Sequence, residues 1–395
     1  MLFRSSPLEL TLILLVAAVL GVVAFRMMNL PPMLGYLSVG ILIGPYALGL
    51  AANSHATHML AEFGVVFLMF SIGLEFSLPK LKSMRRNVFG LGLAQVALTI
   101  VVTMLCGGLM ARLLPSMFNI GWSASFALGG ALSMSSTAIV LKLLTERLEM
   151  ESEHGRRITS ILLFQDLAVI PAVALIPLLQ GGMGATGNIL VPIGKAVAAL
   201  FVVFVGGRYL IRPIFRLVDS AKTPEIFTAA ALVVVTGTAA LVNAAGLSMS
   251  LGAFMAGVLL SGSEYRHQIR ADIEPFEGLL LGIFFISVGM AANLGLLGSE
   301  AAVILSAVAG LLLIKIALGF ALARLAKQSA RDAMRFAVAL CQAGEFGFVL
   351  FGVAMSNAVL DAGQSERAML VVTLSMIASP LLFWVSERWI VPLFA

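Results

Sequence analysis

Apolar runs of roughly 20 residues recur along the whole chain and are separated by short polar stretches. A run of that length is sufficient for a helix to cross about 30 Å of hydrocarbon. The pattern therefore predicts an all-α polytopic membrane protein with about 13 transmembrane helices, here called spans 1 to 13. The predicted spans cover approximately residues 8–25, 33–50, 59–76, 87–111, 121–141, 158–180, 189–207, 225–243, 246–262, 276–294, 301–323, 336–356 and 368–386.

The composition excludes a soluble globular protein. Hydrophobic residues make up 60% of the chain and charged residues only 11%, whereas a soluble domain carries about a quarter charged residues. We therefore expect a single transmembrane domain over residues 1–395, surrounded by the lipid bilayer. Span 1 lacks a small-residue cleavage site and is followed directly by further spans, so it is expected to be retained.

The basic residues are divided unevenly between the two sides of the predicted membrane domain. Most of the 25 Lys and Arg residues follow odd-numbered spans, whereas the opposite side holds only Arg4, Arg112, Lys195 and Arg367. The positive-inside rule then places the N-terminus outside and the C-terminus in the cytoplasm of a bacterial inner membrane. A net charge of +5 could indicate binding to nucleic acid. Here the basic residues mark the cytoplasmic loops, so we expect no nucleic acid as a partner.

The second half of the sequence partly repeats the first. Three segments recur in the same order at nearly constant separation, namely 34–42 with 251–259, 71–73 with 287–289, and 131–133 with 339–341. Each match pairs a span with the one seven places later, which is inserted with the opposite orientation. We therefore predict two inverted repeats, at about 8–180 and 225–386, joined by a linking helix at about 189–207. The alternative is that small residues recur in membrane helices because they allow close packing.

Polar residues interrupt two of the spans near mid-membrane. Ser133–Thr137 lies in span 5 and Gln342–Gly347 lies in span 12. Unwound backbone at that depth is expected only where it lines a cavity or meets an ion. These segments therefore predict two broken helices that cross each other. The alternative is a continuous span 5 whose hydroxyls bond to the carbonyls of the preceding turn.

Asp166 is a candidate functional residue within the predicted membrane domain. It lies near the middle of span 6, and no cationic residue is adjacent in sequence. A carboxylate at the membrane centre is unfavourable and is by default functional, the alternative being a structural ion pair. Burial favours the protonated carboxyl group, whereas a bound cation favours the ionised one. Competition between proton and cation for this one group is the expected exchange mechanism.

Two further charged residues lie within spans. Lys315 is near the centre of span 11, where it either pairs with Asp166 or neutralises the carbonyl ends of the broken helices. Glu345 lies in the break of span 12, and we expect it to complement the positive N-terminal ends of half-helices rather than to bind the ion.

The motifs described so far resemble the cation:proton antiporter-2 family. The resemblance rests on Leu163–Asp166, Gln342–Phe346 and Glu62–Glu75, and it covers essentially the whole chain. The stretch Tyr265–Gly282 is particularly similar to the glutathione-gated potassium-efflux (Kef-type) branch.

This resemblance implies a homodimer in which spans 5, 6, 11 and 12 belong to a moving core and the other spans form a scaffold. Asp166 would be the carboxylate that binds the monovalent cation and the proton, and Gln165 its neighbour in the potassium-type pattern. Ser135, Ser136 and Thr137 would line the broken helix. Members of this branch usually carry a cytoplasmic nucleotide-binding domain after the last span, and the sequence ends at Ala395. A regulatory domain or subunit, and control by nucleotide or glutathione, are left open.

We therefore expect exchange of a monovalent cation, potassium in preference to sodium, for a proton, without a cofactor. One alternative is a sodium/proton antiporter of the same fold, and another is a gated potassium channel without proton coupling. A membrane-embedded enzyme is disfavoured because the loops contain no constellation of nucleophile, base or metal ligands.

Overall fold

The computed structural model describes residues 7–27, 32–50, 55–75, 87–113, 120–179, 224–244 and 248–394, with a few isolated positions between 198 and 216. Most of span 7, predicted at 189–207, lies outside the described residues. The described helices are α1 (Pro7–Met27), α2 (Pro32–Ile43), α3 (His55–Glu75), α4 (Leu93–Leu113), α5 (Trp122–Ser133), α6 (Thr137–Glu146), α7 (Glu153–Leu175), α8 (Pro224–Ala244), α9 (Met249–Ser261), α10 (Arg266–Ala291), α11 (Gly295–Ser299), α12 (Ala301–Leu325), α13 (Ala330–Ala339), α14 (Phe346–Ser356) and α15 (Ala362–Val385).

Within these ranges, the predicted spans are recovered as helices, and seven stretches are long and apolar enough to cross a membrane. A π-helical turn, Asn87–Gly92, precedes α4, and a similar turn, Ser386–Ile390, follows α15. The predicted all-α polytopic architecture is confirmed.

The lengths of spans 2 and 9 were overestimated. Helix α2 has 12 residues and ends at Ile43, whereas the apolar run predicted a helix to about residue 50. Gly44 and Pro45 follow directly, and proline cannot continue the hydrogen-bonding pattern of a helix. Helix α9 has 13 residues, so the two spans that correspond in the repeat are both short.

Side-chain caps determine where many of the helices begin. The side chain of the preceding residue accepts a hydrogen bond from a first-turn backbone N–H in α6, α7, α9, α13 and α15. The capping residues are Ser136, Ser152, Ser248, Ser329 and Asp361. Because short polar side chains satisfy N–H groups that have no partner within the helix, these positions are favoured helix starts.

Glycines bring two pairs of helices into backbone contact. Gly40 of α2 and Gly289 of α10 face each other so closely that a Cβ on Gly289 would lie 2.9 Å from the Cα of Gly40. Gly73 of α3 and Gly257 of α9 face each other in the same way, with 2.8 Å from a Cβ on Gly257 to the Cα of Gly73.

These two crossings are equivalent under the predicted repeat. Span 2 corresponds to span 9 and span 3 to span 10, so the α2–α10 crossing corresponds to the α9–α3 crossing. The neighbouring backbone contacts correspond in the same way. A Cβ on Gly289 would meet the carbonyl of Leu37 in α2, and a Cβ on Gly73 would meet the carbonyl of Phe254 in α9. The packing of these helices therefore follows the predicted repeat.

Ion pairs join helices at both ends of the bundle. At one end, Arg335 of α13 donates two hydrogen bonds, of 2.8 and 2.9 Å, to the carboxylate of Glu387 after α15. At the other end, Arg367 of α15 donates two bonds of the same lengths to Glu300 before α12. The Arg367 guanidinium lowers the pKa of the Glu300 carboxyl group.

Candidate functional site

The two predicted breaks cross inside the bundle. Met134–Ser136 separates α5 from α6, and residues 340–345 separate α13 from α14. The hydroxyl of Ser135 donates to the carbonyl of Leu340 at 2.9 Å. A Cβ on Gly344 would lie 2.5 to 2.8 Å from backbone atoms of Ser135 and Ser136, so only glycine allows this approach. The predicted pair of broken, crossing helices is therefore confirmed.

Lys315 reaches this crossing from α12, and its side chain is only 3% exposed. Its Nζ donates to the carbonyls of Met134 at 3.0 Å and Gln342 at 2.6 Å. A third bond, of 3.1 Å, joins it to the hydroxyl of Ser135. The ammonium group therefore lies where α5 and α13 both end, next to the negative ends of their dipoles. Lys315 was expected either to pair with Asp166 or to neutralise the carbonyl ends of the broken helices. Its hydrogen bonds are to the carbonyl ends and to Ser135, and Asp166 is not among its acceptors.

Glu345 lies at the N-terminal end of a half-helix, whereas Lys315 lies at C-terminal ends. It is 8% exposed, and its carboxyl group contacts the side chain of Ser136 and the backbone of Ala138 in the first turn of α6. Because N-terminal N–H groups carry the positive end of the helix dipole, a carboxylate there is favourable. This geometry is consistent with the role expected for Glu345.

Asp166 lies on α7 beside the start of α6. Thr137, the first residue of α6, donates its hydroxyl to Oδ1 of Asp166 at 3.1 Å. Asp166 is half-buried. Carboxylate and hydroxyl oxygens are suitable ligands for a hard monovalent cation.

Gln165 is fully buried and turns away from solvent towards the backbone of the break. Its Oε1 accepts from the N–H of Ser135 at 2.7 Å. Its Nε2 donates to the carbonyl of Ser133 at 3.3 Å and to Oε1 of Gln95 at 2.7 Å. The Gln165 side chain therefore holds the unwound segment in position.

The structure thus brings all the sequence-predicted site residues together around the two breaks. Thr137 faces Asp166, Ser135 lies at the crossing, and Ser136 accepts from the N–H of Ile139 at 3.4 Å as the cap of α6. Sequence analysis missed Gln95 on α4, which belongs to the same hydrogen-bonded group. A buried amide in an otherwise apolar span was the available signal, but it does not identify the partner.

Comparisons with known proteins agree with this architecture. The family model "Sodium/hydrogen exchanger, transmembrane" matches residues 12–384. One similar solved structure is the sodium proton antiporter MjNhaP1 from Methanocaldococcus jannaschii at pH 8, with TM-score 0.66 and 16% identity over 97% of this chain and 96% of that one. An electron-microscopy structure of the same antiporter gives TM-score 0.63 and 15% identity over 98% of both chains.

At this identity the structural matches establish the fold, whereas the family match extends over nearly the whole chain. The expectation of a cation:proton antiporter, rather than an enzyme, is confirmed at the level of the family. The chain belongs to the transmembrane sodium/hydrogen exchanger family.

Proposed function

We propose that this protein exchanges a monovalent cation, potassium in preference to sodium, for a proton, and that Asp166 binds both ions alternately. The observation that carries this proposal is the half-buried Asp166 carboxylate beside the broken helix, with the Thr137 hydroxyl 3.1 Å away. Protonation removes the charge that holds a cation, and a bound cation stabilises the ionised form. The two ions therefore exclude each other at one group.

The neighbour of Asp166 supports an electroneutral exchange. Gln165 is uncharged, and its side chain forms hydrogen bonds with the backbone of the break. Asp166 is then the group whose charge alternates, and one proton leaves for each cation that binds. The charges of Lys315 and Glu345 are used at the helix ends, so they support the crossing rather than take part in binding.

The preference for potassium rests on the resemblance of Leu163–Asp166 and Tyr265–Gly282 to the Kef-type branch. Sodium is the alternative cation, because the structural match named above is a sodium proton antiporter. The same resemblance supports a homodimer with elevator-like alternating access in a bacterial inner membrane. It also leaves a cytoplasmic regulatory domain or subunit as a partner.

The test is exchange in proteoliposomes with an imposed proton gradient, in which potassium, sodium, rubidium and lithium are added separately. We expect the wild type to move protons most strongly with potassium and the Asp166→Asn variant to behave like empty liposomes. Glu366→Gln is a matched control, since Glu366 is also a half-buried acid but bonds Asn293, away from the breaks. Potassium–proton exchange at the wild-type rate by Asp166→Asn would exclude Asp166 as the binding group.

A further inference from the structure

Two glutamine side chains from different helices form a buried pair next to the proposed ion site. Gln95 of α4 is 3% exposed and Gln165 of α7 is fully buried. Nε2 of Gln165 donates to Oε1 of Gln95 at 2.7 Å, and Nε2 of Gln95 donates to the carbonyl of Ser133 at 3.1 Å. We call these two side chains, with their bonds to Ser133 and Ser135, the glutamine brace.

The brace supplies partners that the broken helix cannot provide for itself. At the end of α5, backbone carbonyls lose their partners in the following turn. An unpaired buried carbonyl or N–H is unfavourable. The Ser133 carbonyl accepts from both glutamines, and the Ser135 N–H donates to Gln165. The brace therefore fixes the position of the unwound segment.

The backbone also determines which way each amide points. The Ser135 N–H can only donate, so the Gln165 atom facing it must be Oε1, and its Nε2 must face Gln95. Oε1 of Gln95 then accepts, and its Nε2 faces the carbonyl of Ser133. Thr99 supports this orientation. Its hydroxyl accepts from Nε2 of Gln95 at 3.3 Å and donates to the backbone carbonyl of Gln95 at 2.8 Å. Every donor in the brace faces an acceptor.

The unwound segment connects the brace directly to the proposed ion site. Ser133 and Ser135 are held by the brace, and Thr137, two residues further on, donates to Asp166. A shift of this segment therefore moves the Thr137 hydroxyl relative to the carboxylate. Discrimination between ions of different radius depends on the arrangement of the coordinating oxygens. Outer partners that orient the ligands of a metal ion typically change affinity about 10- to 100-fold.

We infer that Gln95 is a positioning residue that sets the preference among alkali cations, by holding Gln165 and the broken helix in register with Asp166. This inference rests on the proposed exchange function and deepens it. Gln95 itself contacts Gln165, Ser133 and Thr99, so it acts through the segment.

The test measures KM and maximal rate for potassium and for sodium in proteoliposomes containing Gln95→Met, which has similar length but no polar group. We expect the KM for potassium to rise about tenfold, with a smaller change for sodium, so that the preference between the two ions decreases. The maximal rates per folded protein should change little. Gln165→Met should give the same shift, and the double variant no more than either single one, because both remove the same brace.

Thr373→Val is the matched control. Thr373 is a fully buried residue of α15 whose hydroxyl donates to Met369 in its own helix, so its loss should leave the ion preference unchanged. If Gln95→Met does not yield folded protein, Thr99→Val removes only the partner that orients Gln95, and a smaller shift in the same direction is expected.

The outcomes separate this inference from the proposed function. Wild-type exchange that depends on Asp166, together with an unchanged potassium-to-sodium KM ratio in Gln95→Met or in Thr99→Val, would overturn the inference alone. A uniform loss of rate for all ions with unchanged KM would also overturn it, because that is the result of a general structural defect. Absence of exchange by the wild type would overturn both.

Discussion

Lys315 and Glu345 lie at the crossing, where four half-helices begin or end. Lys315 lies where α5 and α13 end, and Glu345 lies at the start of α6. When ionised, each side chain faces helix ends of the opposite dipole polarity. We expect their main contribution to be the stability of the crossing.

Replacing Lys315 with Met should destabilise the folded protein. Two buried carbonyls, of Met134 and Gln342, would lose a charged donor, which lowers the free energy of unfolding by about 2 to 4 kcal/mol. Thermal unfolding of the purified protein in detergent measures this change. Lys327→Met, at an exposed turn, is the control and should stay within about 0.5 kcal/mol of wild type. Equal unfolding temperatures for Lys315→Met and the wild type would contradict this role.

Some site residues could be predicted from sequence because they contrast with their surroundings. The apolar runs contain a few polar residues, among them Asp166, Lys315 and the hydroxyls of span 5. Polar side chains within membrane-spanning segments are unfavourable, so they indicate candidate functional residues. The partners of each residue could not be predicted, because they lie far away in sequence. The bond between Gln165 and Gln95 joins residues 70 positions apart, and no local pattern connects them.

Among the helices, the glycine crossings set how closely the two halves approach. A Cβ at Gly257 would meet the carbonyl of Phe70 and, at 2.7 Å, the backbone nitrogen of Leu74. Backbone atoms cannot move aside as a flexible side chain can. Close approach of α3 to α9, and of α2 to α10, therefore requires glycine at the contact.

Gly257→Ala should destabilise the protein by about 1 to 3 kcal/mol, because an added methyl group overpacks a tight contact. Gly40→Ala, its counterpart in the repeat, should do the same. Gly237→Ala in α8 is the control, since nothing lies within 4 Å of a Cβ there and alanine has the higher helix propensity. The free energy of unfolding of the three variants is the measurement, and a loss for Gly237→Ala as large as for Gly257→Ala would contradict the packing argument.

Helix existence was easier to predict than helix length. Apolar runs identified the spans, and hydroxyl and glycine-rich interruptions identified both breaks. Hydropathy did not reveal that α10 begins at Arg266, well before the apolar run at 276, because a helix can continue into polar surroundings. It also overestimated α2, where Gly44 and Pro45 end the helix.

For the whole molecule, both halves of the predicted repeat contribute residues to the crossing of the broken helices. The first half contributes Asp166 and the break of span 5, and the second contributes Lys315 and the break of span 12. Membership of a cation:proton antiporter family could be predicted from sequence, because the motifs extend along the whole chain. Cation preference could not be derived from residue types, since it depends on the positions of backbone and side-chain oxygens.

Orientation in the membrane is a prediction at this scale. Single cysteines at Glu151, between α6 and α7, and at Ala362, at the start of α15, are exposed and can be introduced after Cys106 and Cys341 are replaced by Ala. An impermeant maleimide should label Ala362→Cys in intact spheroplasts and Glu151→Cys only after permeabilisation, because basic loops face the cytoplasm. The reverse pattern would contradict an external N-terminus.

The most direct test of the account is proton release from purified protein when potassium is added near neutral pH in weak buffer at constant ionic strength. We predict that the wild type and Glu366→Gln release protons as potassium binds, and that Asp166→Asn releases none. Binding of potassium to the wild type without proton release, or undiminished release from Asp166→Asn, would contradict a shared site at Asp166.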